Sequence, residues 1–189
     1  MNKAHLDFLG SPDWARMLET DLLPWIEQVA DLGDDVLEVG PGPGLTTDLL
    51  RSRTAHVTAV ELDDDLAAAL TARMEGANVD VVHADAAASG LPSDRFSSAT
   101  CFSMLHHVPS PDHQDRVFAE ICRMLRPGAS LFATDSRDLD LIRSFHEDDV
   151  FVPLGDDEVV PRLERAGFVD VDLEVTDFEL RFSARKPSR

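Results

Sequence analysis

The sequence predicts an α/β protein built on a mostly parallel sheet with helices on both faces. Three observations carry that prediction. Short apolar, β-branched runs alternate with helical periodicities from Val36 to Thr134. A glycine-rich turn sits between the first of those runs and the helix that follows it. The last two apolar runs are separated only by Thr176-Asp177, which permits a hairpin but no crossover, so the final strand should run antiparallel.

The elements follow in order. Residues Pro12 to Leu32 carry a helical pattern through Trp14, Met17, Leu18, Leu22, Trp25, Ile26 and Val29, which Pro24 is predicted to divide. Val36–Val39 is the first strand and Leu45–Leu50 the helix after its glycines. His56–Val60 is a second strand. Asp63–Met74 is a helix with acidic residues in its first turn, where they face the positive end of the helix dipole. Val79–Val82 and Ser98–Ser103 are the third and fourth strands. Asp112–Leu125 reads as a helix stopped by Pro127-Gly128, and Ser130–Thr134 as a fifth strand. A helix beginning near Pro161 closes at Ala166-Gly167, and Val169–Val175 with Phe178–Ala184 forms the hairpin. No repeat or linker divides the chain. It is therefore read as one domain, 1–189, with an N-terminal helical cap (1–35) and an α/β core (36–189).

Composition narrows the functions. The 189 residues include 17 Lys+Arg against 36 Asp+Glu, a net charge of −19. Nucleic acid is held by neutralising phosphates with Lys and Arg, so no nucleic-acid partner is expected. There is no apolar stretch near ~20 residues, so no stable membrane insertion is expected. The opening MNKAHLDFLGSPDW lacks the apolar segment of a secretory leader. Cys101 and Cys122 lie in apolar patterns without metal-ligand spacing, and a cytoplasmic location with reduced thiols is expected.

The segment Val36-Leu-Glu-Val-Gly-Pro-Gly-Pro-Gly44 is the most informative. A dinucleotide fingerprint spaces its glycines G-x-G-x-x-G, whereas Gly40, Gly42 and Gly44 leave Leu45 in the third position. Pro41 and Pro43 also remove two amide donors that a pyrophosphate would need. The loop suits an uncharged nucleoside better than a diphosphate. Glu61, about twenty residues past the first glycine, can accept hydrogen bonds from both hydroxyls of a ribose. Capping of the helix behind it falls to Asp63, Asp64 and Asp65. Asp85, after the third strand, can accept from an adenine amino group.

Together VLEVGPGPG, VTAVELD, VVHADAAASGLP, CFSMLHHVP and RMLRPGASLFATD resemble the class I S-adenosylmethionine-dependent methyltransferases, from about Val36 to Asp135. The resemblance implies a three-layer, Rossmann-like sheet of about seven strands with the last antiparallel. It implies S-adenosyl-L-methionine as cofactor and S-adenosyl-L-homocysteine as product. Carried onto matching positions, Glu38 would lie near the methionine amino end, and Gly40, Pro41, Gly42 and Gly44 would line the cofactor. Glu61 would bind the ribose, Leu62 would pack on adenine, Asp85 and Ala86 would bind its edge, and Phe102 with Ser103 would flank the methionine.

Methyl transfer requires alignment and exclusion of water, and a base only when the acceptor must lose a proton. No metal is required. His106 and His107, after the fourth strand, are the candidate catalytic residues, with Asp135 and His146 weaker candidates. Trp14, Phe145, His146 and Phe151 are candidates for an acceptor pocket, and Glu147-Asp148-Asp149 reads as a solvated loop. GPGPGLTTDLL and VELDDDLAAAL also resemble ribosomal RNA adenine dimethyltransferases and phospholipid N-methyltransferases. The RNA enzymes carry an Asn-Leu-Pro-Tyr-type motif where this chain reads Phe102-Ser-Met-Leu105. The expected activity is methylation of a small-molecule acceptor at O, N or C by a monomer or homodimer. The alternatives are a phospholipid headgroup N-methyltransferase, a non-catalytic cofactor-binding protein and an NAD-dependent oxidoreductase.

Overall fold

The computed structural model describes residues 3–188; residues 1, 2 and 189 of the expected domain lie outside them. Seven strands form one sheet: β1 (Asp35–Val39), β2 (His56–Glu61), β3 (Val79–His83), β4 (Phe96–Phe102), β5 (Leu125–Ser136), β6 (Val169–Val175) and β7 (Glu179–Arg185). Their order is β3-β2-β1-β4-β5-β7-β6. β1 to β5 pair in parallel, and β7 pairs antiparallel with both β5 and β6. The order reverses between β1 and β4, so the ends of these two strands diverge into the crevice where such sheets bind ligands.

The central strands β1, β2 and β4 and the middle of β5 are buried on both faces, and the period of two sorts their side chains. Val36, Val57, Ala59 and Phe132 point to one side, where they meet Leu18, Leu22, Ile26 and Leu50. Leu37, Val60, Leu131 and Ala133 point to the other, where they meet Val117, Phe118, Ile121 and Leu163. The first layer contains α1 (Lys3–Leu9), α2 (Pro12–Met17), α3 (Leu23–Val29), α4 (Leu45–Arg51) and α5 (Asp64–Arg73). The second contains α6 (Pro111–Met124) and α8 (Val159–Arg165), and a short α7 (Asp140–Phe145) lies in the connection after β5.

Two expectations need correction. Pro24 does not divide the N-terminal helix. Residues Leu18–Leu22 form a π-helical turn in which the Leu23 N–H donates to the Leu18 carbonyl five residues back, and Pro24 enters the first turn of α3. The widened turn relieves the clash a proline ring makes with a preceding carbonyl. Nor does Pro127-Gly128 stop α6. The helix ends at Met124 and passes directly into β5, because Leu125 pairs with Phe96 and the Arg95 N–H donates to the Met124 carbonyl (2.9 Å). Proline and glycine are tolerated there beside a register shift between Phe96 and Ser98. Helices α1 and α7 were not anticipated; both are short, and α7 buries none of its side chains.

Candidate active site

A cleft of about 430 Å³ opens at the carboxyl ends of β1, β2, β3 and β4. Gly40 forms its floor at the end of β1. Its φ is +71°, and a Cβ there would come within 2.8 Å of the Met104 side chain, so only glycine lets the β1 turn pass Met104. Gly44, at φ +83°, is constrained from another side, since a Cβ would collide with Leu70 and Arg73. Arg73 was not singled out in the sequence. Its guanidinium pairs with Asp48 and donates to the carbonyls of Pro43 and Gly44 (2.9 Å each), tying the glycine loop to α5.

Glu61 binds the same loop from within. Its Oε2 accepts from the Gly42 N–H (3.0 Å) and its Oε1 from the Asp63 N–H (2.9 Å). Asp63 in turn caps α5 by accepting from the Leu66 N–H (3.0 Å). Each carboxylate oxygen of Glu61 retains a second lone pair, and the residue lines the cleft. Leu62 stands at the lip, 66% exposed, an apolar surface beside the carboxylate.

At the far end Asp85 and Ala86 line the wall. Asp85 accepts from the Ala87 N–H (2.9 Å) and is paired with His113 Nε2 at 2.9 Å. Partial burial works to raise its pKa, but the bonds from His113 and the Ala87 amide hold it below the usual carboxylate range. His113, on the first turn of α6, also lines the cleft and has no counterpart in the sequence reading. Glu38 is buried deep in β1. Thr47 Oγ1 donates to its Oε2 (2.6 Å), while Oε1 has no hydrogen-bond partner among the described residues. Burial pushes its pKa up to about 8.

The structure separates the other expected residues. Glu38, Pro41, Gly42 and Gly44 do not line the cleft, and Leu9 of α1 lies 4.0 Å from where a Cβ on Gly42 would stand. Phe102 is buried with the N-terminal helices, and Ser103 turns the chain at φ +51° with its N–H bonded to the Thr134 carbonyl. Of the two candidate catalytic histidines, His107 lines the cleft while His106 is fully buried behind it. The His106 ring hydrogen-bonds through Nδ1 to Asp135, whose other oxygen accepts from the His106 N–H (3.0 Å). A carboxylate can only accept, so Nδ1 carries the proton and Nε2 is the basic nitrogen.

The candidate acceptor aromatics divide, with His146 and Phe151 both packed against His106. Trp14 packs in the N-terminal core, Phe145 is exposed, and Phe151 stacks on His146 with ring centres 4.4 Å apart. Burial lowers the His146 pKa, and its Nδ1 bonds to the Ile142 carbonyl (2.8 Å). The reading of 147–149 as a solvated loop is corrected at one position. Glu147 and Asp148 are exposed, but Asp149 lines the cleft with its carboxylate 3.8 Å from His107 Nδ1 and only 9% exposed. Gln114 fastens this segment: its Nε2 donates to the carbonyls of Leu105 (2.9 Å) and Val152 (2.7 Å). Among the described residues, the cleft lining carries four carboxylates (Glu61, Asp63, Asp85 and Asp149) and neither lysine nor arginine.

Residues 37–133, just over half the chain, match the family described as "Methyltransferase domain". Among curated proteins, the ubiquinone biosynthesis O-methyltransferase of Pseudomonas fluorescens (strain Pf0-1) is 35% identical over 113 residues, covering 57% of this chain and 47% of that protein. The enzyme of the same name from Aromatoleum aromaticum (strain DSM 19018 / LMG 30748 / EbN1) is 33% identical over 114 residues, with 58% and 47% covered. The chain thus spans about half the length of the curated relatives it matches. Among solved structures, a SAM-dependent methyltransferase of Methanosarcina mazei superposes with a TM-score of 0.73 at 17% identity, covering 88% of this chain and 98% of that one. A phosphoethanolamine N-methyltransferase of Haemonchus contortus, in complex with phosphomonomethylethanolamine and S-adenosylhomocysteine, gives 0.70 at 15% identity over 84% and 50%. These two share the fold.

Proposed function

The chain belongs to the class I S-adenosylmethionine-dependent methyltransferases, and from that premise we propose that it methylates a small-molecule acceptor, with oxygen the favoured atom. The observation that carries this reading is the charge of the cleft, with four carboxylates and, among the described residues, no basic side chain other than histidine. Such a lining suits a cation, and it opposes the pyrophosphate of a nicotinamide dinucleotide or an acceptor bearing phosphate.

The residues present fit the cofactor. Glu61 has lone pairs for the two ribose hydroxyls, Leu62 offers its exposed face to adenine, and Asp85 with Ala86 meets the edge of the base. Glu38, with Oε1 unpartnered at the buried end of β1, is the acceptor for the methionine ammonium group. When bound, S-adenosylmethionine supplies a methyl on a sulfonium, and the electrons of the broken C–S bond stay with sulfur as the acceptor takes the methyl. The chain's own contribution is to hold both partners in line and exclude water, and good orientation is worth roughly 7–11 kcal/mol. His107 is the imidazole that meets the acceptor. His106 lies one layer behind and acts as a positioning residue, oriented by Asp135. The names of the curated relatives support an oxygen acceptor.

Calorimetry with S-adenosylmethionine, S-adenosylhomocysteine and NAD, followed by a methyl-transfer assay over phenols, catechols and amines, tests the proposal. Binding of both adenosyl compounds, none of NAD, and turnover of a hydroxylated acceptor are expected. Stabilisation by NAD alone would reject the reading. Tight cofactor binding without turnover across the panel would favour a non-catalytic binding protein.

A further inference from the structure

Three imidazoles meet at the acceptor end of the cleft. One nitrogen each from His106, His107 and His146 lies within 4.8 Å of the others. They come from two distant parts of the chain, the turn after β4 and the segment after α7, which are joined where the Val152 N–H donates to the His106 carbonyl (2.7 Å). From this arrangement we propose that His106, His107 and His146 bind a divalent transition-metal ion, zinc or a similar imidazole-seeking cation, at the acceptor end of the cleft.

Four features support the site. First, the separation is within reach of coordination: tetrahedral ligands at ~2.0–2.1 Å from zinc stand about 3.4 Å apart, so modest side-chain rotation closes the set. Second, the protonation states are right. Asp135 fixes the proton of His106 on Nδ1, and the Ile142 carbonyl does the same for His146, so Nε2 is the basic nitrogen on both rings. Ligating histidines are characteristically held by a carboxylate or carbonyl on the opposite nitrogen. Third, charge balances, because Asp135 behind His106 and Asp149 beside His107 offset a dication. Fourth, three histidines leave a fourth position, and His107 and Asp149 both line the cleft, so that position faces the acceptor.

A dication placed there would take an acceptor through an oxygen donor, a hydroxyl or one oxygen of a catechol, and make its proton easier to lose to water. This last role rests on the methyl-transfer reading; the metal site itself does not. His107 would then meet the acceptor through the ion it holds.

The full chain, freed of any affinity tag and stripped with EDTA, is titrated with zinc in the calorimeter without cofactor, and separately loaded with cobalt(II) for visible spectroscopy. One zinc per chain is expected, weakened at least 100-fold in both His107→Ala and His146→Ala and unchanged in His56→Ala, whose ring lies on β2 outside the cluster. Circular dichroism and the melting temperature report whether each variant folds. Because the cobalt spectrum is read on the unaltered protein, a misfolded variant does not remove the test. Intense visible bands that shift on adding catechol are expected. Absence of saturable zinc binding and of cobalt bands in the unaltered protein overturns the site, as does full affinity in both folded variants. Cobalt bands indifferent to catechol overturn the open position. A parallel S-adenosylmethionine titration reports on the cofactor reading separately, since metal binding is measured without it.

Discussion

The two ends of the cleft are built differently. At the end proposed for adenosine, Glu61, Gly42, Asp63 and Arg73 are joined by bonds to the main chain of the glycine turn and of the start of α5. At the end proposed for the acceptor, His106, His146, Gln114 and Asp149 meet across stretches of about forty residues, held largely by side chains with one main-chain bond from Val152 to His106, and α7 buries nothing of its own. The first is a backbone device and the second an assembly of side chains. A backbone device leaves a local signature of glycine, proline and spacing, while an assembly leaves none.

Substitutions can break or sharpen that contrast. The largest effect is expected from His107→Ala, which should lower kcat by roughly 10²–10³-fold, the scale of losing proton handling in a transition state, with cofactor Kd unchanged. Loss of cofactor affinity instead would merge the two ends. Glu61→Ala should do the reverse, weakening cofactor binding about 100-fold, the scale of two lost charge-assisted hydrogen bonds, with an unaltered circular dichroism spectrum. An unchanged Kd in calorimetry removes Glu61 from the site. Gly44→Ala tests the backbone end for stability: positive φ and the collision with Arg73 and Leu70 should cost about 3 kcal/mol in urea unfolding. Gln114→Leu strips two carbonyls of their donor and should cost about 1–2 kcal/mol while raising the acceptor KM more than the cofactor Kd.

The smallest effect is a pH slope. Glu38 has a folded pKa of about 8, raised by burial from an ordinary value of 4.5. The folded state therefore holds this proton when the unfolded chain has lost it. Its contribution to stability is complete below about 4.5 and is lost as pH rises through about 8. Glu38→Gln should flatten that part of the stability profile of the cofactor-free protein. Cofactor carrying an ammonium group favours the ionised form, so affinity should rise between pH 6.5 and 8. Equal Kd values at the two ends of that range would detach Glu38 from the ammonium.

The same contrast explains what could be read in advance. β1, its glycine turn, Glu61 and the helix capped by Asp63 are encoded by neighbouring residues, and the sheet follows from alternating periodicities. The constraint on Gly44 comes from Arg73, 29 residues away and invisible to spacing. Asp149 sits in an acidic run that reads as solvated, and only the fold shows one of its three carboxylates turned inward. The helix at Pro24 stayed continuous because a π turn absorbed the proline, which no propensity announces. His113 has the same history, since its partner Asp85 is 28 positions back.

The carboxylate lining of the cleft has a consequence after the reaction as well as before it. Donating the methyl converts a sulfonium into a neutral thioether, so the spent molecule leaves with one positive charge fewer than it brought. Under the proposed reading, the walls hold the spent molecule less strongly by charge than the fresh one. Added salt, by screening those walls, should narrow the difference in affinity between the fresh and the spent molecule.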